Sequence, residues 1–152
     1  MPEALRVFIS YSHKDEALRE ELETHLAPLR RQGLIGMWSD RRIGAGTEWK
    51  GAIDEELEKA DAILMLVSPD FVNSDYCYDI EMTRAMERHE ARTARVIPIL
   101  VRPVDFHGLP LGRLQALPRD AKPVVTWASR DEAWLDVARG IRQVVAAIGG
   151  KR

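Results

Sequence analysis

The stretch Arg6-Val7-Phe8-Ile9-Ser10-Tyr11-Ser12-His13-Lys14-Asp15 decides the fold. Val7, Phe8 and Ile9 form a short apolar run of β-branched and aromatic types, the pattern of a strand buried on both faces and therefore central in its sheet. The composition then switches to Ser10-Tyr11-Ser12-His13, four side chains with hydrogen-bonding heads placed where a helix begins. In open α/β sheets, ligands bind outside the carboxyl ends of the strands, where the order of connection reverses. This turn is the first candidate site.

Downstream, Leu18, Leu22, Leu26 and Leu29 recur at helical spacing and predict a helix over residues 14–31, with Pro28 bending or ending it and Gly33 closing it. Ser12 followed by Asp15 reads as a capping box, so the plain role of Ser12 is a helix cap. Residues 34–38 read as a second strand, and Ser39-Asp40-Arg41-Arg42-Ile43-Gly44-Ala45-Gly46 as a charged, glycine-containing loop. Thr47 caps a helix with Trp49, Ile53 and Leu57 on one stripe. Residues 61–69 form the clearest strand, uninterrupted and apolar, ended by Pro69 and expected beside the first. Asn73 or Ser74 caps a third helix reaching His89. Residues 95–101 read as a fourth strand, in which Pro98 removes a ladder donor and suggests a bulge or an irregular edge. After a long Pro- and Gly-containing connection, with a helical turn expected near Leu111 to Leu117, residues 123–127 read as a short fifth strand. Ser129 and Glu132 form another capping box, opening a helix with Trp134, Ala138, Ile141, Val145 and Ile148 on one face. This alternation calls for a parallel sheet with helices on both faces.

The chain's 152 residues suit one domain, residues 1–148, with 149–152 as a tail or linker stub. A composition of 45% hydrophobic and 30% charged residues is ordinary for a globular protein, and a net charge of -2 gives no electrostatic reason to expect nucleic acid. Cys77 is the single cysteine, which excludes an internal disulfide and a cysteine-based zinc site. His13 lacks a second His or Cys spaced to join it, so no metal is expected. With no apolar run near 18 residues and no basic-then-apolar leader, the chain reads as cytoplasmic, without a membrane partner.

Three stretches, RVFISYSHKDE (6–16), Trp38-Ser39-Asp40 with the Ile43-Gly44-x-Gly46 loop, and ILMLVSPDFVNSDYCYDIE (63–81), resemble a bacterial Toll/interleukin-receptor (TIR) domain. The resemblance spans nearly the whole chain and is weaker after Arg102. It implies a flavodoxin-like α/β fold with five parallel strands in the order 2-1-3-4-5. It also implies either cleavage of NAD at its nicotinamide-ribose bond, giving ADP-ribose or cyclic ADP-ribose, or signalling by TIR-to-TIR assembly without chemistry. NAD enters as a substrate and no cofactor is implied. A homo-oligomer or filament in a defence or signalling system, triggered by a sensor or effector domain, is the implied setting.

The family's catalytic glutamate, in the helix after the third strand and preceded by a Ser-x-aromatic pair, matches Glu81 with Ser74 and Tyr76. Several members place that glutamate three residues after a cysteine, whereas Glu81 follows Cys77 by four. One residue rotates an α-helical side chain by about 100°; Asp79 is the alternative carboxylate. Tyr11 and Ser12 are expected to meet nicotinamide or its ribose, with Ser10, Tyr76 and Cys77 also expected at the substrate site and Ser68 either lining the pocket or making a turn with Pro69 and Asp70. Asp40, Arg41 and Arg42 are expected at the substrate site, where an arginine either pairs with the pyrophosphate or is a solvated loop charge, and Ile43, Gly44, Ala45 and Gly46 in a self-association loop. The chemistry supports a single carboxylate: nicotinamide departs neutral, so no acid has to protonate it, unlike the alkoxide of an ordinary glycoside. A phospho-acceptor receiver domain needs an aspartate ending the third strand, where Ser68 stands, and is set aside.

Overall fold

A computed structural model describes residues 4–39 and 55–149. Four parallel strands, β1 (Leu5–Ser10), β2 (Ile35–Ser39), β3 (Ala62–Val67) and β4 (Arg95–Leu100), form one sheet in the order β2-β1-β3-β4. The first strand is central, as its apolar run predicts: Val7 pairs with Met37 on one side and with Ala62 on the other. Because the chain leaves β1 toward β2 and leaves β3 toward β4, the switch point lies between the carboxyl ends of β1 and β3.

Strand periodicity divides the core into two layers. Val7, Ile9, Leu64, Leu66, Ile97 and Ile99 face one layer, under α1 (Glu16–His25), α2 (Ala27–Arg31) and α6 (Arg130–Gly149). Phe8, Ile63, Met65, Val67, Val96 and Leu100 face the other, under α3 (Glu55–Lys59), α4 (Pro69–Asn73), a π-helix (Asp75–Met82) and α5 (Thr83–Glu90). Every residue of β3 is buried, which is why it reads as continuous rather than alternating.

Several local expectations change. The helix over 14–31 is a 3₁₀ turn (His13–Asp15) followed by α1 and α2, broken at Leu26, with Pro28 in the first turn of α2. Gly33 closes it at φ 75°. Ser12 caps the 3₁₀ turn through the Lys14 N–H, but Asp15 does not complete a capping box because its carboxylate is held elsewhere. Pro98 causes no bulge: the register runs unbroken from Ala62 opposite Arg95 to Val67 opposite Leu100, and the missing donor lies on the outer edge of β4.

Among the described residues there is no fifth strand. Residues 124–126 form a 3₁₀ turn, since Thr126 and Trp127 donate to Pro123 and Val124 within the same segment, where a strand would donate to its neighbour. What remains of the expected pairing is one bridge, Leu117 beside Ile99, and one hydrogen bond from Val125 to Val101. The helical turn near Leu111 is confined to a 3₁₀ turn at Pro110–Arg113. In α6, Trp134, Ala138, Ile141 and Val145 are buried on the predicted stripe, and Ser129 accepts the Glu132 N–H as its cap.

Candidate functional site

Glu81 lies at the switch point, fully buried. Ser10, the last residue of β1, shares the parity of Phe8 and so points toward the layer that holds the π-helix. Its hydroxyl donates to Glu81 Oε1 at 2.7 Å. A carboxylate removed from water is costly unless its oxygens find donors, and here the donor comes from the strand end itself. Cys77 Sγ donates to the Tyr11 carbonyl at 3.3 Å, tying the same helix to the turn after β1. Ser74 Oγ caps the helix by accepting the Cys77 N–H at 3.1 Å.

The π-helix resolves the spacing between Cys77 and Glu81. Its i→i+5 bonding closes each hydrogen-bonded loop with one residue more than an α-helix and widens the turn, so a four-residue step returns close to the same face. Cys77 and Glu81 are both wholly buried, while Asp79 between them is exposed. The alternative carboxylate therefore faces solvent. Tyr76 belongs to the same π-helix.

A second polar network closes the crevice behind the first. Asp15, 1% exposed, accepts from Ser68 Oγ through Oδ2 and from Arg102 Nε at 2.8 Å through Oδ1. Arg102 also pairs with Asp70, and Ser68 Oγ accepts the Phe71 N–H at 3.1 Å as the cap of α4. Burial opposes the charge of Arg102, but its bonds to Asp15 and Asp70 outweigh that and raise its pKa. The turn after β1, the end of β3 and the first residues after β4 are thereby locked together. Ser68, expected either to line the pocket or to make a turn with Pro69 and Asp70, takes part in this lock. Asp15 was read from the sequence only as part of a cap, and Asp70 and Arg102 were given no part in a site; each lies within a few residues of a strand's carboxyl end.

Tyr11 is buried, and its hydroxyl donates to Glu16 Oε2 at 2.8 Å, while the Arg19 guanidinium sits 5.5 Å from its ring centroid. Partial burial works to raise the Glu16 pKa, but hydrogen bonds from Arg19 and Tyr11 bring it below the usual value. Ser12 serves as a cap, and His13 is exposed. The expectations for Asp40, Arg41, Arg42, Ile43, Gly44, Ala45 and Gly46, and for Thr47, Trp49 and Ile53, lie outside the described residues.

The family model described as "TIR domain" matches residues 7–137. The chain belongs to the TIR-domain family. The chain is similar to an uncharacterized protein, y4lF, of Sinorhizobium fredii (strain NBRC 101917 / NGR234), 54% identical over 142 residues. That alignment covers 93% of this chain and 44% of the relative, so the chain spans less than half of that protein's length. Among solved structures, the TIR domain of the Toll-related receptor TRR-2 from Hydra magnipapillata superposes with a TM-score of 0.59 at 25% identity, covering 90% of this chain and 97% of that one. No described helix of this TIR domain is long and apolar enough to cross a membrane.

Proposed function

We propose that this TIR domain cleaves NAD between nicotinamide and ribose, with Glu81 as the catalytic carboxylate, and that it works as an assembly of copies in a signalling or defence response. The observation that carries the reading is Glu81 itself, a carboxylate buried at the switch point and oriented by a hydroxyl from the end of β1. A structural carboxylate has little reason to occupy that place, whereas a group meant to meet a developing positive charge gains from a dry, preorganised setting.

In the proposed reaction the glycosidic bond breaks with its electron pair leaving on the nicotinamide nitrogen, which becomes neutral. The ribose carbon takes on oxocarbenium character and Glu81 stabilises it, with Ser10 fixing the carboxylate's position, until that carbon bonds to water, which loses a proton to give ADP-ribose, or to an adenine nitrogen of the same molecule, giving cyclic ADP-ribose. Arg102, anchored to buried Asp15 and one-third open to solvent, is placed to bind a substrate phosphate in exchange for Asp70.

Full burial of Glu81 has a kinetic consequence. Ribose reaches it only if the groups that cover it give way, a gating step to which assembly of copies would be coupled. Nicotinamide release from NAD, compared between the parent and Glu81→Gln, tests the chemistry. Specific activity across a dilution series tests the assembly.

A further inference from the structure

At the other end of the sheet, the amino-terminal half of β4 and the middle of α6 enclose an open cavity of about 800 Å³. That volume falls within the range of small-molecule sites. One wall is apolar, formed by Ile97, Leu117 and Val144, and α6 can approach it closely because Gly140 has no side chain: a Cβ there would lie 2.6 Å from Leu117 Cδ2. The rim carries Arg95, Arg119, Arg139 and His89 against a single acid, Asp136.

The pairing is uneven. Asp136 accepts the Arg119 N–H at 2.7 Å and meets its guanidinium at 3.5 Å, so the one carboxylate is committed to Arg119. Arg95 and Arg139 have no carboxylate within ion-pair distance among the described residues. His89 uses Nδ1 to accept the Val96 N–H at 3.1 Å. Burial, and then the nearby Arg95 and Arg113, lower its pKa against the opposing pull of Glu90. A second hollow of about 650 Å³ shares His89 and Arg95 and adds Arg92 beside Asp61. The protein as a whole is slightly acidic, with 24 acidic against 22 basic residues, so this cluster does not follow from composition. A concave surface on which one sign of charge outnumbers the other, here arginines over Asp136 and Asp61, concentrates the opposite charge.

We propose that this cavity between β4 and α6 binds a small phosphorylated molecule, its phosphate held by Arg95 and Arg139 and its apolar body laid on the Leu117–Val144 wall. Guanidinium forks match phosphate oxygens in pairs, which favours phosphate over a point-like anion. The enclosed volume and the apolar wall favour a small molecule over an acidic protein surface, which would meet the rim alone. The site is separate from Glu81, which lies at the carboxyl end of β1, and stands whatever reaction occurs there.

The test is calorimetric titration of the chain with AMP and, separately, with inorganic pyrophosphate at physiological salt, repeated with Arg95→Gln/Arg139→Gln. Saturable one-to-one binding that weakens at least about tenfold in the double variant supports the site. Tighter binding of AMP assigns it to a nucleotide-like ligand, and tighter binding of pyrophosphate to a bare polyphosphate. Both arginines are exposed, so the thermal midpoint of the variant should match the parent. The proposal is overturned if the parent binds neither probe saturably, or if the double variant binds as well as the parent. It is equally overturned if sedimentation shows this face occupied by a second copy, with self-association rather than ligand binding lost in the double variant.

Discussion

Ser10 and Glu81, 71 residues apart in sequence, meet at 2.7 Å between Oγ and Oε1. The contact joins the end of the central strand to the π-helix and sets where the carboxylate sits. Ser10→Ala deletes the donor while keeping the backbone. Leaving a buried acceptor without it should cost about 1–3 kcal/mol of stability. Under the proposed function it should also lower kcat by about tenfold to a hundredfold with a smaller change in KM, since the loss is of position. Thermal unfolding and steady-state nicotinamide release read the two effects separately.

Asp79 provides the internal comparison. It stands two residues from Glu81 but is exposed, because the π-helix turns it outward. Asp79→Asn should leave the thermal midpoint within the range of a surface substitution, about 0.5 kcal/mol, and should leave NAD turnover at the parent rate. Loss of turnover with Asp79→Asn, and its retention with Glu81→Gln, would exchange the two assignments.

The lock formed by Asp15, Ser68, Arg102 and Asp70 predicts an asymmetry. Asp15 is 1% exposed, so Arg102→Ala leaves a buried carboxylate without its guanidinium and should destabilise by about 3 kcal/mol. Asp70→Ala touches only the outer, partly exposed arm and should cost less than about 1 kcal/mol. Arg102→Lys should fall between these, because an ammonium cannot span both carboxylates as the guanidinium does. Urea midpoints of the three variants check the order.

His89 supplies the pH dependence. Burial, followed by the fields of Arg95 and Arg113, depresses its folded-state pKa below the ordinary value. The unfolded chain therefore takes up the proton at higher pH than the folded one, and protonation favours unfolding. This contribution to stability is complete above about pH 6.5 and is lost as pH falls through the folded pKa. Protonation also removes Nδ1 as acceptor for the Val96 N–H at the edge of the sheet. Unfolding measured from about pH 7.5 down to about pH 5.5 should show stability falling, and His89→Gln should flatten that slope.

Much of the architecture was legible because β1 and β3 are buried on both faces and α6 carries an unbroken stripe; such patterns leave few alternatives. The fifth strand was misread because Val124 and Val125 have strand-forming side chains, while Pro123 just before them opens a local 3₁₀ turn. The π-helix had no residue-type signature and showed only as a four-residue step from Cys77 to Glu81 where a relative would have three. Ser10 was visible as a polar residue at a strand end, but its partner was not, since the pairing spans the crossover between β1 and the helices after β3. Asp15 looked like part of a cap, and only the approach of Arg102, 87 residues away, shows what its carboxylate does.

The most direct measurement is nicotinamide release from NAD at high protein concentration, followed by chromatography, with the parent and Glu81→Gln run side by side after both are shown to be folded. The account predicts release by the parent, falling in specific activity on dilution, and none above background from the variant. Release by Glu81→Gln at the parent rate, or none from the folded parent at any concentration, would contradict it and leave a TIR domain that acts by association alone.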